Sequence, residues 1–157
     1  MHIASLALYK GPPRPLWRKV GHYAIRLWTW SRWSHAELVI DGWCYSASVM
    51  DGGVRRKQID LGDGHWDIIP LELTQDECVK ALAWFLSHED DGYDFRNIAR
   101  WIMPFVPQHP MQYVCYESIG EALGFAGAYR LDADDLYQWA KGREPKIISI
   151  ENPAQNF

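Results

Sequence analysis

Glycine-bearing turns cut the stretch from His35 to Leu71 into short runs: Asp41-Gly42, Asp51-Gly52-Gly53 and Gly62-Asp63-Gly64. This punctuation constrains the fold more than any other feature. None of the runs has room for a helix of ordinary length. Their alternation suits half-buried strands, and Asp-Gly between two such runs is a strong hairpin signal. Residues 35–40, 43–49, 54–60 and 65–71 are therefore expected to form an antiparallel meander of about four strands.

The flanks add helices. Residues 2–9 read as a first strand, and Gly11-Pro12-Pro13-Arg14-Pro15 as a rigid turn. Residues 16–30 carry Leu16, Val20, Tyr23, Ala24, Leu27 and Trp28 at helical spacing. Thr74-Gln75-Asp76-Glu77 is a capping box. The helix after it is expected to run to about Ser87, with Val79, Leu82, Ala83 and Leu86 inward. His88 to Gly92 reads as a solvated acidic turn. A helix over 94–103 should stop at Pro104, followed by an irregular loop to Pro110. A helix from Cys115 should stop at Gly124, and another, capped by Asp132, should span about 132–141. Residues 145–157 read as a short strand and a tail. The expected class is α+β, as one domain over residues 1–157, and 48% hydrophobic residues suffice for a core.

Composition removes several functions. A net charge of −4 argues against general binding of nucleic-acid phosphates. Arg14, Arg18, Lys19, Arg26 and Arg32 form a local basic group, read as a solvated helix face rather than an anion groove. Three cysteines without Cys-x-x-Cys spacing argue against a disulfide framework and a structural zinc site. No calcium-loop spacing or phosphate-cradling glycine loop is present, so no metal or cofactor is expected. No signal peptide and no membrane-spanning run is read. Together with free thiols, this suits a reducing cytoplasm.

The chemistry-bearing pair is His35 and Cys115. Cys115 opens an amphipathic, helix-like run after strand-like Met111-Gln112-Tyr113-Val114. A helix N-terminus favours thiolate, and thiolate is the nucleophile. His35 opens the run Ser34-His35-Ala36-Glu37-Leu38-Val39-Ile40, where a strand would fix its direction. His109, between prolines, is the second candidate base. Cys44 and Cys78 read as small core residues. Glu37 leaves the same strand face as His35 and is one candidate to orient the imidazole. Tyr45, Ser46 and Ser48 on the next strand are the others, and Ser46 and Ser48 are also candidate substrate contacts. Glu117, in the helix's first turn, suits the dipole and is a second-choice substrate contact.

Three segments resemble the circularly permuted NlpC/P60-type (papain-like) cysteine hydrolases, which include YiiX/YebB-like proteins of bacteria and phages. They are Ser34-His35-Ala36-Glu37-Leu38-Val39-Ile40, Gly92-Tyr93-Asp94-Phe95 and Val114-Cys115-Tyr116-Glu117-Ser118. As in that family, the histidine precedes the cysteine. The resemblance implies a permuted papain-like fold, with a small antiparallel sheet packed against the helix carrying the cysteine. It implies acyl transfer on a small peptide, glycopeptide or acyl substrate, with peptidoglycan peptides and acyl lipids as precedents. It makes Cys115 the nucleophile, His35 the base, and Tyr93 a cleft wall or oxyanion ligand. Family members place a charged or imidazole residue on the strand after the histidine. Here that strand, Cys44-Tyr45-Ser46-Ala47-Ser48, has no charge, which leaves open a non-catalytic binding or accessory protein keeping the same cleft.

Overall fold

The structure is a computed structural model that describes residues 2–11, 32–93 and 112–145. The expected helices over 16–30 and 94–103, the loop bearing His109, the tail after 145 and four of the five basic residues (Arg32 excepted) lie outside the described residues.

The fold is α+β. Five antiparallel strands form the body of the sheet: β1 (Ala4–Tyr9), β2 (His35–Ile40), β3 (Trp43–Ser48), β4 (Gly53–Lys57) and β5 (Trp66–Leu71). Two short strands, β6 (Gly92–Tyr93) and β7 (Gln112–Tyr113), extend one edge, giving the order β5-β1-β2-β3-β4-β6-β7. Three α-helices lie among the described residues: α1 (Gln75–Ser87), α2 (Cys115–Ala122) and α3 (Ala133–Lys141).

The hairpin at Asp41-Gly42 forms as expected. Both residues sit at positive φ, 50° and 80°, the backbone a tight two-residue connection requires. The four-strand meander does not form. Only β2, β3 and β4 are consecutive neighbours; β5 instead pairs with β1, from Ala4↔Leu71 to Tyr9↔Trp66. Residues 58–65 carry the chain across the sheet, and Ile59 and Leu61 pack on Ala7, Val39 and Cys44 as they go. Burying that apolar face rewards the crossing, where a tight turn would have left the face wet.

The main core lies on the other face. Leu6, Leu8, Leu38 and Ile40 from the sheet meet Phe85, Ile119 and Leu136 from the three helices. Thr74 caps α1 through the full capping box, and Asp132 caps α3. The inward stripe of α1 differs from expectation. Cys78, Ala81 and Phe85 are buried, while Val79 and Leu86 are 51% and 74% exposed and Ala83 is exposed too. Two apolar stripes compete on this helix, offset by one residue. Phe85 against Tyr45, at 5.3 Å between ring centroids, decides the phase.

The helix bearing the cysteine is packed tightly. A side chain at Gly120 would collide with Leu131 and Ala128, so only glycine lets the following 3-10 turn (Ala128–Arg130) close on α2. No helix among the described residues is long and apolar enough to cross a membrane.

Candidate active site

The site forms where the β2–β3 ladder stops. β1 pairs with β2 over all six residues, from Ala4↔Ile40 to Tyr9↔His35. β3 pairs with β2 only at Leu38↔Tyr45, Val39↔Cys44 and Ile40↔Trp43. Beyond that point the first turn of α2 takes the place of the missing partner. The Ala47 amide, which a longer ladder would have satisfied, donates to Ser118 Oγ at 3.1 Å. Ser118 in turn donates to the Cys115 carbonyl at 2.9 Å. One buried hydroxyl thus fastens the start of the helix to the sheet, and Cys115 arrives beside His35.

Cys115 is the first residue of α2, following the cap position Val114. A residue there has no intrahelical acceptor for its N–H. Glu117 is fully buried, and its Oε2 accepts from the Val114 amide at 3.4 Å. That is the work of a helix-capping carboxylate, and its burial gives a substrate no face to touch.

Glu37 on β2, Arg55 on β4 and Asp51 in the turn between β3 and β4 form a chain of charges that ends at the imidazole. His35 Nε2 lies 2.7 Å from Glu37 Oε1. Arg55 donates from Nη2 to the same oxygen at 2.6 Å and from Nη1 to Oε2 at 2.7 Å. Asp51 holds the remaining guanidinium edge, accepting from Arg55 Nε at 2.9 Å, and also accepts from Lys57 Nζ at 2.9 Å. Glu37 is fully buried, the Arg55 side chain is 13% exposed and that of His35 is 24% exposed.

The electrostatics follow from this packing. Burial opposes a charge on His35, but the Glu37 carboxylate and the hydrogen bond to Cys115 outweigh it and raise the ring from 6.5 to about 10. Burial also opposes a charge on Glu37. The Arg55 hydrogen bonds and then His35 outweigh it and hold the carboxyl below its ordinary 4.5. The other two thiols have no such partner. Burial, then the nearby Glu37 charge, pushes Cys44 up to about 11, and burial raises Cys78.

The structure therefore brings together Cys115, His35 and Glu37 from the sequence-predicted set. Ser46 Oγ donates to the Ala47 carbonyl at 3.3 Å, and Ser48 Oγ accepts from Met50 N at 3.2 Å, so both hydroxyls serve nearby backbone. Tyr45 packs on Phe85 in the main core, on the face away from Glu37. Of the candidates for orienting the imidazole, Glu37, on the histidine's own strand, is the one that contacts the ring. The backbone of Tyr93 forms β6 beside β7, which leads into Cys115; its side chain lies outside the described residues. Arg32 pairs with Asp67 at 3.3 Å and stacks over Trp33 at 4.3 Å. His88 closes α1 and stacks on Trp84 at 4.1 Å, in the turn expected to be solvated.

Sequence reading missed Arg55 and Ser118. Arg55 reads as an ordinary outward-facing strand cation. Its one local hint is that its cross-strand partner is the small Ser46, over which a long side chain reaches β2. Ser118 carries a hint in its place, a hydroxyl one turn into a short helix beside small and apolar neighbours. Among the described residues no group of three or more His, Cys, Asp and Glu side chains is arranged to hold a metal ion. No protein-family model matches this sequence, and no curated protein matches it.

Proposed function

We propose that this protein is a cysteine hydrolase acting through an acyl-enzyme. The observation carrying this reading is the chain of contacts from His35 through Glu37 to Arg55, 2.7 Å at each link, with Cys115 at the start of α2 interacting with the same imidazole. In this reading the Cys115 thiolate attacks the carbonyl carbon of an amide or ester. The Cys115 N–H, at the start of the helix, donates to the oxyanion that forms. The His35 imidazolium protonates the leaving amine or alcohol as the carbon–heteroatom bond breaks. The same ring then takes a proton from water, which attacks the thioester and releases the acid and the thiolate. Glu37 holds the ring's orientation and tautomer throughout.

The likeness to permuted NlpC/P60-type enzymes supports a peptide, glycopeptide or acyl-lipid substrate and a papain-like reading of the fold. A non-catalytic binder was suggested by the uncharged strand after the histidine. Glu37 on β2 and Arg55 on β4 place charge behind the imidazole where β3 has none, which supports the catalytic reading over the binder.

The direct test is acylation. The protein is incubated with a panel of activated esters and peptide anilides, and its intact mass is followed. A hydroxylamine-labile acyl adduct on Cys115, absent from Cys115→Ala, is the expected result. No adduct across the panel, or adducts placed at random on lysines and other thiols, contradicts the proposal.

A further inference from the structure

We infer that Arg55 is a positioning residue that keeps Glu37 ionised, and through it fixes the protons of the Cys115–His35 pair. The inference deepens the hydrolase reading and rests on it for its meaning, though not for its test.

The argument begins with burial. Glu37 is fully enclosed, and an unpaired carboxylate in such a place takes up a proton rather than stay charged. One cation meets it with planar geometry: both terminal nitrogens of Arg55, at 2.6 and 2.7 Å, span both carboxylate oxygens. Such a fork is the strong form of this contact. It also sets the plane of the carboxylate, and Oε1, shared between Arg55 and His35, faces the imidazole. Asp51 grips the third guanidinium nitrogen, so the fork cannot swing away without breaking a second ion pair.

Among the described residues the groups facing this assembly are few. His35 lies on β2 itself, Cys44 faces Glu37 from β3, Arg55 comes from β4, Asp51 from the β3–β4 turn and Cys115 from α2. From β1 the residue opposite Glu37 is Ala7, which does not titrate, and the one opposite His35 is Tyr9. Two other cations lie close: the His35 imidazolium meets only Oε1 of Glu37, and Lys57 is held on Asp51 at 2.9 Å, so neither spans both carboxylate oxygens as Arg55 does. If Arg55 is removed, Glu37 becomes a neutral acid, and His35 loses the anion that favours its imidazolium. The imidazole beside Cys115 then rests neutral. Arg55 also repels the imidazolium directly, and that effect has the opposite sign. The proposal holds that the loss of the Glu37 charge dominates, because Glu37 touches the ring and Arg55 acts from behind it.

The test reads His35 by nitrogen-15 NMR of the full chain as pH is varied, with Arg55→Met, Arg55→Lys and Glu37→Gln compared to wild type. Alkylation of Cys115 by iodoacetamide at pH 7 is measured in parallel. Arg55→Met is expected to lower the His35 midpoint nearly as far as Glu37→Gln, and to slow alkylation about tenfold or more, the change one pKa unit produces. Arg55→Lys keeps a charge but not the fork, and should fall between wild type and Glu37→Gln. If Arg55→Met does not fold, the Lys variant carries the test. A His35 midpoint unchanged or raised in a folded Arg55 variant overturns the inference. Turnover is not read, so a protein that hydrolyses nothing still tests Arg55, and a failed titration leaves acylation of Cys115 to be judged separately.

Discussion

The two ends of β2 obey different rules. From Leu38 to Ile40 the strand is paired on both sides, and Leu38 and Ile40 are buried in the main core. From His35 to Glu37 it is paired only with β1, and the opposite side receives a helix start, a guanidinium and a thiol. The first half is held by area removed from water. The second is held by a few charged contacts whose geometry must be right, because buried charge is stabilising only when fully met. One strand thus anchors the fold at one end and presents the chemistry at the other.

The sharpest way to break this contrast is at the thiol. Cys115→Ala should abolish acyl turnover, a loss on the order of a thousandfold or more, while the thermal midpoint changes little. His35→Ala should follow, with a drop of about 10²- to 10⁴-fold in turnover, the usual share of a general acid–base group. At the other end of the strand, Leu38→Ala should leave the catalytic groups in place but cost about 2–5 kcal/mol of stability, read by urea denaturation. Ser118→Ala sits between the two behaviours. It orphans the buried Ala47 amide, which costs about 1–3 kcal/mol, and it unfastens Cys115, so both stability and alkylation rate should fall.

A further effect is in pH. His35 is raised on folding, so its contribution is fully present below 6.5 and is lost as pH rises through about 10. Glu37 is lowered on folding, so its contribution is present above 4.5 and lost as pH falls through its folded value. The stability difference between wild type and His35→Ala should therefore shrink steadily from pH 6.5 to 10. A difference that grew over that range would show that the imidazole is buried neutral.

Local signals were readable in the sequence and distant ones were not. The Asp41-Gly42 hairpin, the Thr74 capping box and the Asp132 cap depend on a few adjacent residues, and each stands where the pattern puts it. The pairing of β5 with β1 depends on residues some sixty positions apart, such as Leu6 and Ile69, and no local pattern encodes it. The same holds within the site. Cys115, His35 and Glu37 were legible because a helix start and a strand alternation are local facts. Arg55 was not, because it reaches Glu37 from two strands away, past Ser46. The α1 stripe held at Leu82, which packs on the main core, but not at Val79 and Leu86: Cys78, Ala81 and Phe85 have the same spacing one residue out of phase, and distant packing such as Phe85 on Tyr45 buries them instead.

The central claim is that one of three buried thiols is set apart by its imidazole. It is tested most directly by a brief iodoacetamide pulse on the folded protein at neutral pH, with each cysteine quantified by mass spectrometry in wild type and His35→Ala. Fast labelling of Cys115 alone, slowed by His35→Ala, is the predicted result, with Cys44 and Cys78 silent because burial raises both thiols. Labelling that is slow at all three sites, or indifferent to His35, would contradict the account.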